Sequence, residues 1–289
     1  HWRDLTSSGL ALALTEASLN HDGLTVVITN SAKEASYQRG AIEFFSKGQD
    51  LPILIFPDWE TLPYDIFSPH QDIISGRLKT LAKLPTTKQG ILLVPITTIM
   101  HRLAPVDFVS SRSFHYQVGD ELDRDNLQSQ LNKVGYNRVD TVYEHGEFAF
   151  RGSIIDIFPM GAKSPFRLDL LDTEVESLRL FDPESQRTIE SVQRIDVLPA
   201  REFPLDKQSI NTFLNKWHDC FDNNPDPCPV YRDVKESIAP QGIEYYSSLF
   251  FEKTATLFDY LPENILLFTL NDIETTADQF WNDINTRYK

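Results

Sequence analysis

The chain has 289 residues, 41% hydrophobic and 24% charged, a balance that fits about two globular domains and excludes a disordered or collagen-like polymer. No apolar run reaches the roughly 18–20 residues of a membrane helix, the start His1-Trp2-Arg3-Asp4 lacks a signal peptide's apolar core, and Cys220 and Cys228 are too few for a disulfide framework or a four-cysteine zinc site, so a cytoplasmic protein is expected. The net charge of −15 is spread as −1 over 1–112, −7 over 113–204 and −7 over 205–289, which disfavours a duplex-binding surface, because phosphate neutralisation needs clustered Lys and Arg. The absence of an initial methionine is what a fragment of a longer protein would show.

Strand-like and helix-like patterns alternate first. Leu24-Thr25-Val26-Val27-Ile28-Thr29 is a β-branched run suited to a buried strand. Ser31 stands three residues before Glu34, the spacing of a helix N-cap, and the helix continues through Ala35, Ile42 and Phe45. Ile53-Leu54-Ile55-Phe56 predicts a second strand and Ile91-Leu92-Leu93-Val94 a third. Between them, Ile73, Ile74, Leu78, Leu81 and Leu84 recur at helical spacing, and 97–103 reads as a short helix. Strand–helix–strand order with short connections predicts a parallel sheet covered by helices.

From about residue 113 the period changes. A strand at 114–118 and a helix over 123–134 lead into short alternating strands at 139–143, 147–151, 153–158, 166–171 and 177–181, separated by Gly, Pro and Asp turns. This predicts a small α+β domain on a mostly antiparallel sheet. Past Pro204, the pattern gives a helix over 206–220, a polar loop over 222–229, an aromatic-rich stretch, a buried strand at Ile265-Leu266-Leu267-Phe268 and a terminal helix with Ile273, Ala277, Phe280, Trp281 and Ile284 as its stripe.

Catalytic patterns fail one after another. The stretch 5–12, before the first strand's helix, holds no glycine-rich loop, and no Gly-Lys-Ser/Thr occurs anywhere, so the backbone cradle and lysine of a phosphate loop are missing. The seven histidines are dispersed, the acidic run Asp169, Asp172, Glu174, Glu176 fits a solvated edge better than a metal site, and no serine or cysteine nucleophile signature is present. No catalytic, cofactor or metal residue is assigned.

Two stretches are more specific: D-W-E-T-L-P-Y-D at 58–65, running on to S-P-H-Q-D-I-I-S at 68–75, and E-H-G-E at 144–147 followed by R-G-x-I-I-D-I-F-P at 151–159. With F-D-P-E-S-Q-R-T at 181–188 and L-P-A-x-E-F-P at 198–204, they resemble the N-terminal module of the bacterial transcription-repair coupling factors, the part similar to the nucleotide-excision-repair protein UvrB. The resemblance implies a degenerate helicase-like α/β domain in two pieces, 1–112 and 205–289, the second packing on the first, around a middle domain at 113–204 that binds UvrA. It implies a non-catalytic fragment without cofactor. ATP, Mg, double-stranded DNA and RNA polymerase would belong to regions beyond this chain, and the remaining chain is a further candidate occupant of the UvrA surface. The competing reading is a UvrB-type nucleotide-dependent DNA-processing domain.

Strand geometry narrows the interface. Phe166, Leu168 and Leu170 share one face, and Arg167, Asp169 and Leu171 share the other. Arg167, Leu171 and Arg151, at the end of the neighbouring strand, are thus expected on an open face, and the resemblance implies that positions matching these three hold UvrA. The family commonly has an aromatic residue where Leu171 stands. If both arginines are exposed, their replacement should cost little stability. The alternative is that they only pair with Glu147 or Asp169 on a solvated sheet.

Overall fold

The computed structural model describes Leu5, residues 7–221 and residues 228–288, so most of the expected 222–229 loop lies outside the described residues. The first elements are α1 (Ser7–Leu19), β1 (Leu24–Thr29), α2 (Ala32–Phe45), β2 (Ile53–Ile55), α3 (Gln71–Lys83), β3 (Gly90–Pro95) and α4 (Ile96–Ile99). Next come α5 (Asp107–Ser111), β4 (Phe114–Gln117), α6 (Arg124–Lys133), β5 (Asn137–Arg138), β6 (Glu147–Arg151), β7 (Ile154–Ile157), β8 (Phe166–Leu171), β9 (Glu174–Phe181), β10 (Thr188–Val192) and β11 (Arg194–Val197). The last are α7 (Lys207–Cys220), α8 (Pro229–Lys235), 3-10 helices at Ile243–Phe250 and Leu257–Tyr260, β12 (Ile265–Thr269) and α9 (Ile273–Tyr288). Contacts divide the chain into two compact units, one of His1–Asp65, Thr80–Val106 and Ala255–Lys289, the other of Ile66–Lys79 and Asp107–Thr254.

The first unit is α/β. Its four strands are all parallel, in the order β12-β1-β3-β2. The central strands β1 and β3 are buried throughout, as unbroken apolar runs in a parallel sheet should be. Ala11 and Leu14 of α1 and Ala35 and Ile42 of α2 pack with Val27, Ile91, Leu93 and Leu270 in one core. Two expectations change. Among the described residues β12 is an edge strand, paired with β1, and its Leu267 is exposed; an apolar tetrad by itself cannot tell a central strand from an edge. Helix α9 forms, but none of its residues is buried and Trp281 is exposed, so the periodic stripe marks a helix without marking a core.

The second unit is built on a six-stranded sheet, β10-β9-β8-β7-β6-β5, antiparallel except for the β5–β6 pair. β4 is not part of it; it pairs with β11 in a separate two-stranded ribbon. The strand expected at 139–143 is absent. There the chain bends: Val139 N–H still donates to the Phe148 carbonyl of β6 (2.9 Å), but beyond it Tyr143 N–H donates to the Glu147 carboxylate (2.8 Å) and the Val142 carbonyl accepts from Gln186 Nε2 (3.2 Å). The bend lets Val142 pack with Ala149, Phe158 and Phe181 in a small core. Helix α7 is joined to the segment Ile243–Phe250 by rings: Phe213 and Phe250 lie 4.6 Å apart and Trp217 and Tyr246 5.5 Å apart.

Charge is also buried in this unit. Arg77 of α3 is fully enclosed, its Nε donating to both carboxylate oxygens of Glu202 (2.9 and 3.0 Å). Nearby, Glu244 accepts from Ser68 Oγ (2.8 Å), and burial, reinforced by the negative Glu202, pushes its carboxyl up to about 7. The folded state therefore holds a proton that the unfolded chain releases near pH 4.5, so the unit is expected to lose stability as pH rises from about 4.5 through 7. A shift of this size corresponds to about 3 kcal/mol at most. Melting curves at pH 5 and pH 8 on wild type and Glu244→Gln test it: the wild type should fall relative to the variant at the higher pH. An offset that does not change with pH would show that Glu244 ionises normally.

Candidate protein-interaction site

Arg151, Arg167 and Leu171 lie on one face of the antiparallel sheet, as the alternation predicts. Cross-strand registry sets two rows on that face: Ala149, Asp156, Arg167, Arg179 and Ser191 form one, and Arg151, Ile154, Asp169 and Ser177 the other. The opposite face carries Phe148, Ile155, Leu168 and Leu178, all buried. Arg151 ends β6 at a two-residue hairpin whose first turn residue, Gly152, has φ +60°. An L side chain rarely adopts that angle, and glycine accepts it without strain.

The face is less open than strand alternation implies. Leu171 is 63% exposed and the Arg151 side chain 45%, but the Arg167 side chain is only 14% exposed. Neither arginine pairs with Glu147 or Asp169. Glu147 accepts from the backbone N–H groups of Tyr143 and Glu144, while Asp169 takes Ser153 Oγ and Arg179 (3.0 Å). Both arginines converge instead on Asp156 of β7, whose side chain is 1% exposed. Arg167 Nε donates to Asp156 Oδ1 (2.7 Å) and its Nη2 to Oδ2 (2.9 Å), and Arg151 Nη2 donates to the same Oδ2.

Arg167 is further enclosed by the 182–187 turn. Its Nη1 and Nη2 donate to the carbonyl and side-chain oxygens of Gln186 (both 3.3 Å), and its guanidinium lies 4.4 Å from the centre of the Phe181 ring. The bond to Asp156 raises the pKa of Arg167, so it stays charged. Gln186 is itself fixed, its Nε2 donating to the Pro183 and Val142 carbonyls. The resulting site offers one exposed, braced guanidinium (Arg151) beside an exposed apolar side chain (Leu171). Such a pairing suits recognition of a carboxylate next to an apolar surface. Asp156 and Gln186 were not singled out from sequence, although a lone acid inside the run Ile-Ile-Asp-Ile-Phe has to find a cation when the strand is buried.

The first unit holds the other place where function would be sought, the turn at the carboxyl end of β1. In the sequence, the stretch 5–12 was the place to look for a phosphate loop, but residues from Ser7 on belong to α1, and the strand-to-helix turn is at Asn30 and Ser31. That turn is filled by the chain's own groups. Glu34 Oε2 accepts from Asn30 N–H (2.8 Å), its Oε1 accepts from Asn271 Nδ2 (2.6 Å), and Ser31 Oγ accepts from Glu34 N–H (3.2 Å). A carboxylate thus stands where a nucleotide-binding turn presents amides to phosphate. Among the described residues, no three His, Cys, Asp or Glu side chains gather as a metal site and no helix is long and apolar enough to cross a membrane.

The family described as the UvrB interaction domain matches residues 114–203, the stretch that contains the sheet carrying these arginines. Over nearly its whole length the chain is similar to transcription-repair-coupling factors: 44% identical over 287 residues to that of Escherichia coli K12 (99% of this chain, 25% of the relative) and 42% over 280 to that of Haemophilus influenzae Rd (96% and 24%). The Bacillus subtilis 168 protein is 31% identical over 266 residues (83% and 22%). The chain belongs to the transcription-repair coupling factor family, as its N-terminal UvrB-homologous module. It spans about a quarter of the length of the curated relatives it matches.

Proposed function

We propose that this chain is a non-catalytic protein-interaction module that recruits UvrA, through the face bearing Arg151, Arg167 and Leu171, to RNA polymerase stalled at DNA damage. The observation that carries the reading is the exposed Arg151 guanidinium, braced by a buried carboxylate beside exposed Leu171, inside the matched UvrB interaction domain. On this reading 113–204 is the UvrA-binding domain, and the protein acts in the cytoplasm. ATP, Mg, double-stranded DNA and RNA polymerase engage the parts of the whole protein beyond this chain, where an ATP-driven translocase resides. The test is surface-coupled binding of purified UvrA to the 289-residue chain. Absence of saturable binding refutes the reading.

The competing reading, a nucleotide-dependent DNA-processing domain, makes the opposite prediction for ATP. With Glu34 occupying the turn after β1 and Lys33 set there in Ser-Ala-Lys-Glu rather than in a Gly-Lys-Ser/Thr element, the chain is expected not to bind ATP–Mg, since the amides of a glycine-framed loop and the lysine it presents supply most triphosphate affinity. Calorimetric titration checks this, and a micromolar dissociation constant would revive the enzyme reading.

A further inference from the structure

Arg151 and Arg167 are not equivalent on this face. Arg167 has its donors engaged by Asp156 and Gln186 and is 14% exposed. Arg151 spends one Nη2 bond on Asp156 and keeps its remaining N–H groups at a surface 45% exposed. Both meet at one carboxylate, which is buried and sits directly across the ladder from Arg167. Asp156 is also diagonal to Arg151, whose registered partner is Ile154. Left alone, an arginine at a strand's end samples many rotamers, and ordering it on binding costs conformational entropy.

We infer that Asp156 is a positioning residue of the interface: Arg167 fixes the Asp156 carboxylate, the carboxylate fixes the Arg151 guanidinium, and Arg151 alone of the three meets an acidic group of the partner. This rests on the proposed UvrA-binding reading. It divides a pair of arginines that sequence treats alike into one contact and one brace. The charge bookkeeping makes it testable by sign. Asp156, Arg151 and Arg167 sum to +1, and removing the carboxylate raises this to +2. If the face worked by charge alone, Asp156→Asn would bind an acidic partner faster and more tightly. If Asp156 positions Arg151, the same change weakens binding through faster dissociation, although the positive charge has grown.

The experiment measures association and dissociation rates of purified UvrA on the 289-residue chain for wild type, Arg151→Ala, Asp156→Asn and Asp156→Glu, with a melting curve for each. Expected are a loss of at least tenfold in affinity for Arg151→Ala and about tenfold faster dissociation for Asp156→Asn, with association unchanged or faster. Asp156→Glu keeps every charge but moves the carboxylate by one methylene; it is expected to dissociate faster too, and it decides the matter if Asp156→Asn does not fold. Wild-type dissociation rates in folded Asp156→Asn, or in Asp156→Glu, overturn the positioning role while leaving UvrA recruitment intact. Unchanged affinity in Arg151→Ala overturns the assignment of the contact to Arg151, and with it this inference, whereas no saturable binding of UvrA by the wild type overturns the recruitment reading itself.

Discussion

Arg151→Glu is expected to abolish UvrA binding while leaving the second unit folded. A charged anchor at an interface centre contributes about 2 kcal/mol or more, close to thirtyfold in affinity, and reversing its sign adds repulsion from the partner's acid. The fold should survive because Asp156 retains both of its bonds to Arg167 and the replaced side chain is nearly half exposed. Arg167→Glu is the contrasting case. It sets a second carboxylate against buried Asp156 and removes the donors to Gln186, and breaking such a buried pair costs about 3–5 kcal/mol. Its loss of UvrA binding should therefore come with loss of structure. Binding and melting temperature measured on both variants separate the two. If Arg151→Glu melts as low as Arg167→Glu, Arg151 is a structural residue and the interface assignment fails.

The second large effect is expected at the buried pair of α3. Arg77→Ala leaves Glu202, only 8% exposed, without its guanidinium partner. Breaking this buried pair should destabilise the second unit by about 3–5 kcal/mol, or about 10 °C in melting temperature for a unit of this size. The pair itself contributes much less than that figure, because its attraction mainly offsets the cost of dehydrating both ions. Replacing the two together, as Arg77→Met with Glu202→Leu, is accordingly expected to restore most of the lost stability. Calorimetry on the single and double variants checks both statements. A double variant as unstable as the single one would show that packing around Arg77, not charge, holds α3 in place.

Sequence patterns located most of this architecture because they report local constraints. Unbroken runs at Leu24–Thr29 and Ile91-Leu92-Leu93-Val94 marked buried parallel strands, which are β1 and β3, and the alternation in Phe166–Leu171 assigned each side chain to its face. The Ser31–Glu34 spacing placed the start of α2, where Ser31 caps Glu34 N–H. Patterns failed where a neighbour decides the outcome. Nothing in Ile265–Thr269 shows that it lies at the edge of the sheet among the described residues, and nothing in 139–143 shows that the Val142 carbonyl and the Tyr143 amide bond to Gln186 and Glu147. The site followed the same division. Alternation put Arg151, Arg167 and Leu171 on one face, yet strand period is blind to the 182–187 turn that covers Arg167.

What the sequence by itself determined is the set of faces: which side chains each strand and helix turns together, and that the chain carries the ordered motifs of its family. Only the tertiary structure decided which of those faces are covered and which charges meet. Arg77 and Glu202 are 125 residues apart in the chain, and Asp156 gathers its two arginines from the strands on either side. The physical reason is that side-chain direction is fixed by local backbone geometry, whereas burial and ion pairing depend on segments brought together by folding.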